Sequence, residues 1–215
     1  VFETRSAISG RVRVIDHGRE RRLVVAGDTL SVYPLDGDWT RLRQEYWWQA
    51  VAAAPPRPRA VLLVGLGGGT QLHLLHRLVR PRLLTVIERD PAIVRVACGW
   101  FGLGPLGGIE FLCGDAEHLV PWLAGTGRRF DFVMEDAAYA DAPPRALALA
   151  RGLVPLMARD GVLVLNRHER PDARRAASAL RSHFEQVRVR LVRRGAVNAL
   201  VFCRGPRGSG EPPPI

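Results

Sequence analysis

Val61-Leu-Leu-Val-Gly-Leu-Gly-Gly-Gly69 joins an apolar run to a glycine-rich loop. Its first four residues are a continuous apolar run, the mark of a strand buried on both faces of a parallel sheet. The next five contain four glycines and open an amphipathic helix that runs to about Arg80. Missing side chains let a ligand approach the backbone, and a helix N-terminus offers free N–H groups and positive potential. A structural strand-to-helix turn also uses glycine, so the loop gains its meaning from the elements downstream of it.

The same strand-to-helix unit recurs along the chain. Leu83–Ile87 reads as a second buried strand ending in Glu88, and Ile109–Leu112 as a third ending near Gly114-Asp115. Phe130–Met134 is a fourth, ending in Glu135-Asp136, and Gly161–Leu165 a fifth. Helices are predicted from Pro91, with Asp90 as its cap, over Pro143–Ala158 and over Pro171–His183. Val187–Val192 and Val197–Cys203 flank Arg193-Arg-Gly-Ala196 and read as an antiparallel hairpin. The alternation predicts a mostly parallel sheet covered on both faces: an α/β, Rossmann-like nucleoside-binding fold that ends in an antiparallel hairpin.

Upstream, Arg11–Ile15, Arg22–Val25 and Leu30–Tyr33 read as short strands of a small antiparallel module, too poor in apolar residues to stand alone. Trp39–Ala54 reads as a linking helix with Thr40 as its N-cap, stopped by Pro55-Pro-Arg-Pro58. Residues 1–54 are thus expected to form the β module and linking helix, 55–204 the Rossmann-like domain, and 205–215 a flexible Gly/Pro-rich tail.

Composition narrows the function classes. The 215 residues are 47% hydrophobic and 24% charged, as in a globular chain. No apolar run approaches ~18 residues, so no membrane span is expected, and Val1–Gly10 lacks the apolar core of a signal peptide. Cys98, Cys113 and Cys203 are too few and too scattered for a disulfide framework or a zinc site, and Cys113 reads as a buried strand thiol. A reducing, cytoplasmic setting fits them. His73 and His76, three apart on one helix, read as packing or surface residues and not as metal ligands. The net charge of +10 is carried by arginine alone. Without lysine there is no Schiff-base lysine and no Walker-type phosphate lysine. A polyanionic partner such as RNA is one reading of that charge. Solvated faces are the other, and the even spread of arginines favours it.

In an open parallel sheet, ligands bind beyond the carboxyl ends of the strands, where strand order reverses. Gly65, Gly67, Gly68 and Gly69 are therefore candidates to cradle a nucleoside. Glu88 is placed to accept ribose hydroxyls, and Asp115 with Ala116 to meet an adenine amino group. Both acids have a helix-capping alternative. Glu135 and Asp136 are candidate catalytic carboxylates that hold a cationic amine and take its proton. Asp141, before Pro143-Pro144, reads better as a turn or cap residue.

At these residues the chain resembles the spermidine synthase family of aminopropyltransferases, from Glu3 to about Cys203. Phe2–Ser6, Arg21–Val24 and Glu45-Tyr46 look like that family's small β module and its approach to the nucleotide domain. Val61–Gly69 is similar to its glycine motif, Val86–Glu88 to its ribose-binding strand, Gly114–Ala116 to its adenine-binding turn, and Phe130–Asp136 to the strand carrying its catalytic aspartate. The resemblance implies decarboxylated S-adenosylmethionine as donor and a small amine such as putrescine as acceptor, a place in polyamine biosynthesis, and Asp136 as the residue that orients and deprotonates the amine. Tyr46 and Tyr139 are the substrate-side candidates. No metal is implied, because a sulfonium is already an activated leaving group.

Two positions depart from the family pattern. Gly68 stands where the glycine motif carries an aspartate for the donor's aminopropyl ammonium, and Tyr139 stands where the catalytic loop carries a second acid. Both remove negative charge, which brings ordinary S-adenosylmethionine forward as a donor. The competing functions are a methyltransferase acting on a small molecule or RNA, and a non-catalytic nucleoside-binding protein. Trp39, Trp47 and Trp48 beside a module with little core suggest a homodimer. Glu88, Asp90, Asp115, Glu117, Glu135, Asp136 and Asp141 near strand ends predict an acidic cleft on a basic surface, suited to an amine.

Overall fold

The computed structural model describes residues 1–137, 142–194 and 196–207. Strands β1 (Phe2–Ser6), β2 (Gly10–His17), β3 (Glu20–Val25) and β4 (Asp28–Pro34) form an antiparallel meander. The linking segment is a 3-10 turn, Trp39–Gln44, followed by α1 (Tyr46–Val51). The rest alternates as β5 (Ala60–Val64), α2 (Thr70–Leu78), β6 (Leu83–Glu88), α3 (Pro91–Trp100), β7 (Ile109–Cys113), α4 (Ala116–Gly125), β8 (Phe130–Glu135), α5 (Pro143–Gly152), β9 (Met157–Arg167) and α6 (Arg170–Leu180), then the hairpin β10 (Phe184–Arg194) and β11 (Ala196–Pro206).

The large sheet has strand order β10-β11-β9-β8-β5-β6-β7. β5 to β9 are parallel, and β11 runs antiparallel between β9 and β10. Strand order reverses between β5 and β8, and there the carboxyl ends open a crevice. This is the Rossmann-like sheet with a terminal hairpin that the sequence predicts.

Three local expectations are corrected. The predicted helix over 39–54 breaks at Glu45, which is extended (φ −77°, ψ 155°), and Asp38 caps the first turn instead of Thr40. The helix from Pro143 ends at Gly152, because Pro155 in the next turn has no N–H to extend it. Cys113 is exposed, since it is the last residue of the edge strand β7.

Trp39 and Trp47 are buried in the chain's own core, and Trp48 packs against it. Trp39 and Trp47 thus serve internal packing, while Trp48 stays half-buried. One apolar cluster runs from Val12, Val14, Leu23 and Val32 of the meander through Trp39 and Trp47 to Val61, Leu63, Leu72 and Phe101. The meander buries its apolar face on the large sheet's helices because it cannot bury that face on itself.

Polar contacts fix how the meander docks. The Thr70 hydroxyl donates to the Val32 carbonyl (2.8 Å) and accepts from the Val32 N–H (3.0 Å). Both groups are buried, so losing the hydroxyl would strand a backbone donor and acceptor. Thr70→Val, which keeps the shape, should therefore destabilise the chain by ~1–3 kcal/mol in urea unfolding. An unchanged midpoint would show that the bridge contributes nothing.

Candidate active site

A cavity of about 880 Å³ lies over the carboxyl ends of the parallel strands, with the meander as one wall. Its size suits a nucleoside together with an acceptor group. Gly65, Gly67, Glu88, Asp115, Ala116, Tyr46 and Asp136 all line it.

The glycine loop is shaped from behind. Gly65 and Gly67 have φ of +96° and +54°, in the left-handed region that favours glycine. Gly68 donates its N–H to the Ser31 hydroxyl at 2.7 Å. A Cβ on Gly68 would lie 2.9 Å from the Ser31 Cβ and 3.0 Å from the Phe101 ring, and one on Gly69 would strike Leu103 at 2.7 Å. Gly68 and Gly69, unlike Gly65 and Gly67, are not in the cavity lining, and a side chain at either would strike protein. Behind Gly68 the space is filled by β4 and the Phe101 ring, and behind Gly69 by Leu103.

Glu88 braces this loop. One carboxylate oxygen accepts from the Leu66 N–H and the other from the Asp90 N–H, both at 3.0 Å. Burial pushes its pKa up, against these hydrogen bonds. Each oxygen keeps a second lone pair for a ligand hydroxyl. Asp115 lines the cavity and also caps α4 by accepting from the Glu117 N–H at 2.9 Å. Asp90 is the buried cap of α3 and accepts from the Ser6 hydroxyl at 2.6 Å, so it serves docking and not the cleft.

Asp136 and Glu135 separate because successive residues of a strand point to opposite faces. Glu135 is fully buried and paired with Arg167, and it also accepts from the Ala137 N–H. It is turned away from the cavity, against the expectation of a paired catalytic carboxylate. Asp136 faces the cavity and is held by three donors. The Tyr46 hydroxyl (2.9 Å) and the Gln71 amide (2.7 Å) donate to Oδ2, and the Asn166 amide (2.7 Å) donates to Oδ1. Desolvation, with the Glu135 charge behind it, outweighs these bonds and raises its pKa to about 6. A carboxylate so held is positioned to receive an ammonium and take a proton near neutral pH.

Sequence reasoning missed Ser31, Gln71 and Asn166. Gln71 and Asn166 carried a signal of position, one in the first turn after the glycine loop and one at a strand's carboxyl end. Ser31 carried none. Tyr139 and Asp141 lie outside the described residues. His73 is a packing residue: it is buried against Tyr33 and Trp39, its Nε2 meets the Phe101 carbonyl at 2.7 Å, and burial lowers its pKa to about 4.

The lining is acidic. Glu20, Asp28, Glu45, Glu88, Asp115, Glu117 and Asp136 outnumber Arg22, Arg89 and Arg145. Two of those arginines are already neutralised, Arg22 by Glu20 and Arg145 by Glu117. The described residues form no continuous arginine rim.

No protein-family profile matches the chain. It is 29% identical over 114 residues to the polyamine aminopropyltransferase of Vibrio vulnificus, covering 52% of this chain and 38% of that protein. It is 32% identical over 170 residues to the eEF1A lysine and N-terminal methyltransferase of Danio rerio, covering 74% of this chain and 24% of that protein. The chain thus spans well under half of the curated relatives it matches. Among solved structures, the spermidine synthase of Thermotoga maritima superposes over 95% of this chain and 72% of its own, with a TM-score of 0.72 at 14% identity. Human methyltransferase-like protein 13 in complex with SAH superposes over 80% of this chain and 81% of its own, with a TM-score of 0.59 at 23% identity. The chain thus has the Rossmann-like fold of these solved structures, and its sequence is similar to parts of a polyamine aminopropyltransferase and of a protein methyltransferase.

Proposed function

We propose that this chain is a transferase that moves an alkyl group from an adenosine sulfonium donor to an amine nitrogen, with S-adenosylmethionine as the favoured donor. The observation that carries this reading is Asp136. It is held by Tyr46, Gln71 and Asn166 in the same cavity wall as Gly65, Gly67 and Glu88. Donor and acceptor would meet across the switch point, so positioning supplies much of the rate. The relatives support both halves of the reading, since one is a polyamine aminopropyltransferase and the other a lysine and N-terminal methyltransferase.

Gly68 favours the donor that keeps its carboxylate. Its Cβ direction is filled by Ser31 and Phe101, so the loop offers no acid at that position to an aminopropyl ammonium. Aminopropyl transfer from the decarboxylated donor is the second reading, favoured by the excess of carboxylates in the lining. RNA as acceptor fits poorly with that lining. A reducing, cytoplasmic setting belongs to the proposal and agrees with three unpaired cysteines. No helix among the described residues is long and apolar enough to cross a membrane.

Calorimetry with the two donors tests the reading: S-adenosylmethionine should bind more tightly than its decarboxylated form. Glu88→Ala should weaken either by ~1.5–3 kcal/mol, the scale of a lost charge-assisted hydrogen bond. Equal affinity in the mutant would remove Glu88 from the ribose role.

Asp136→Asn should lower kcat by ~10²–10⁴ with little change in donor affinity, the usual scale of general-base loss. The wild-type kcat/KM should rise with pH through about 6, because the base works only when ionised. A fully active mutant, or a wild-type profile flat across that range, would defeat the assignment.

A further inference from the structure

The arginines look evenly spread in the sequence, yet the topology collects many of them at the amino-terminal edge of the parallel sheet, opposite the cleft. Arg59 precedes β5, Arg82 precedes β6 and Arg129 precedes β8, and these three strands are neighbours. Arg159 lies at the amino end of β9. Antiparallel β11 brings Arg204 to the same edge, opposite Val162 of β9. All five arginines are exposed, and among the described residues none of them has an ion pair.

Hydrogen bonds fix this row. Arg82 donates its N–H to the Pro58 carbonyl at 3.1 Å, which ties the loops before β6 and β5 together. Asp131 of β8 accepts from the N–H groups of Arg59 (2.6 Å) and Ala60 (3.1 Å), which ties β8 to β5. The Arg204 guanidinium reaches the Ala53 carbonyl at 3.2 Å. The acids nearby are partly committed: Asp131 to those two amides and Glu110 to Arg128, while Asp160 and Glu185 stay exposed. Strands in a sheet lie ~4.8 Å apart, so from β11 to β6 the row is about 19 Å long. The negative end of a helix dipole would hold a cation after α2, but it does not account for arginines placed on strands. The helices run back to this edge, and the last turn of α4 presents Trp122 with 55% of its surface exposed. Gly127 (φ +76°) then turns the chain into Arg128 and Arg129.

We infer that this edge is a docking surface for a single-stranded nucleic acid, with phosphates along the arginine row and a base stacked on Trp122. A guanidinium fork matches phosphate geometry, and an unpaired guanidinium is free to take one. Stacking on an indole tolerates any base, so the surface binds without reading sequence. A row of about 19 Å suits a few nucleotides of an extended strand. A duplex keeps its bases stacked inside and has no use for the indole. A lipid bilayer is a plane, whereas these arginines form a line, which suits a linear polyanion. The row lies at the opposite edge of the sheet from the acidic cleft. The nucleic acid is therefore a partner held there and not the acceptor of the transfer, and the inference stands independently of the donor chemistry.

The test is fluorescence anisotropy of a labelled dodecauridylate across a salt series. Wild type should bind with an affinity that falls steeply with salt, at a log–log slope of about −0.7 for each phosphate held. Arg59→Gln, Arg82→Gln and Arg129→Gln combined should weaken binding about tenfold and flatten that slope by about 2. Arg5→Gln, Arg95→Gln and Arg174→Gln combined remove the same charge from exposed positions on β1, α3 and α6, away from the row. That control should stay within about twofold of wild type, because screening confines its effect. Trp122→Ala should cost about tenfold with the slope unchanged, since stacking releases no counterions. Circular dichroism melts equal to wild type show that each variant is folded. Equal losses in the two arginine variants would reduce the surface to attraction by net charge and overturn the proposal. So would a wild type that binds no dodecauridylate, tighter binding of a matched duplex or of anionic vesicles, or a Trp122→Ala protein that binds as wild type does.

Discussion

The site depends on one docking contact, the placement of β4 against the glycine loop. Ser31 takes the Gly68 N–H, and Thr70 exchanges two hydrogen bonds with Val32. These bonds bring the meander so close that a side chain at position 67 or 68 would collide with Ser31. A loop held by its own chain keeps its shape without a ligand, so the cradle is preorganised. The same contact sets the chemistry of the loop, because a carboxylate at position 68 would have to displace Ser31 or the Phe101 ring.

Around this contact the sheet divides the work. β5, β6 and β7 bring the glycine loop, Glu88 and Asp115 to the cavity, and these are groups that suit a nucleoside. β8 brings Asp136 to it, and β9 brings the Asn166 amide that holds Asp136. Gln71 joins the halves: it sits in the first turn of α2, directly after the glycine loop, and donates to Asp136. Any shift of the loop is thereby felt at the carboxylate.

Much of this is legible in the sequence, for identifiable reasons. The parallel strands announce themselves as unbroken apolar runs, and their ends supply Glu88, Asp115 and Asp136 at successive positions. Asp90 is legible as a cap because Pro91 follows it. Side-chain directions that depend on distant pairing are not legible in this way. Glu135 and Asp136 look alike in a row of letters, but the pleat sends one to Arg167 and the other to the cavity. Ser31 lies on an antiparallel strand far in sequence from the glycine loop it holds, and no local pattern marks it. The place of the tryptophans is not legible either, since how far an aromatic residue is covered by its own chain is decided by tertiary packing.

The charge pattern arises from the same geometry. A chain of +10 should repel a cationic acceptor at long range, yet screening confines distant charges to ~8 Å at physiological salt. Around the cavity, the protein's own pairing removes positive charge. Arg167 is consumed by Glu135, Arg22 by Glu20 and Arg145 by Glu117. Among the described residues, the hydrogen bonds that hold Asp136 come from neutral donors, so no cation cancels its charge. Pairing with an arginine would have lowered its pKa and closed it to an ammonium. Neutral donors hold the geometry and leave the negative charge available, as the role proposed for Asp136, attracting a cation and accepting its proton, requires.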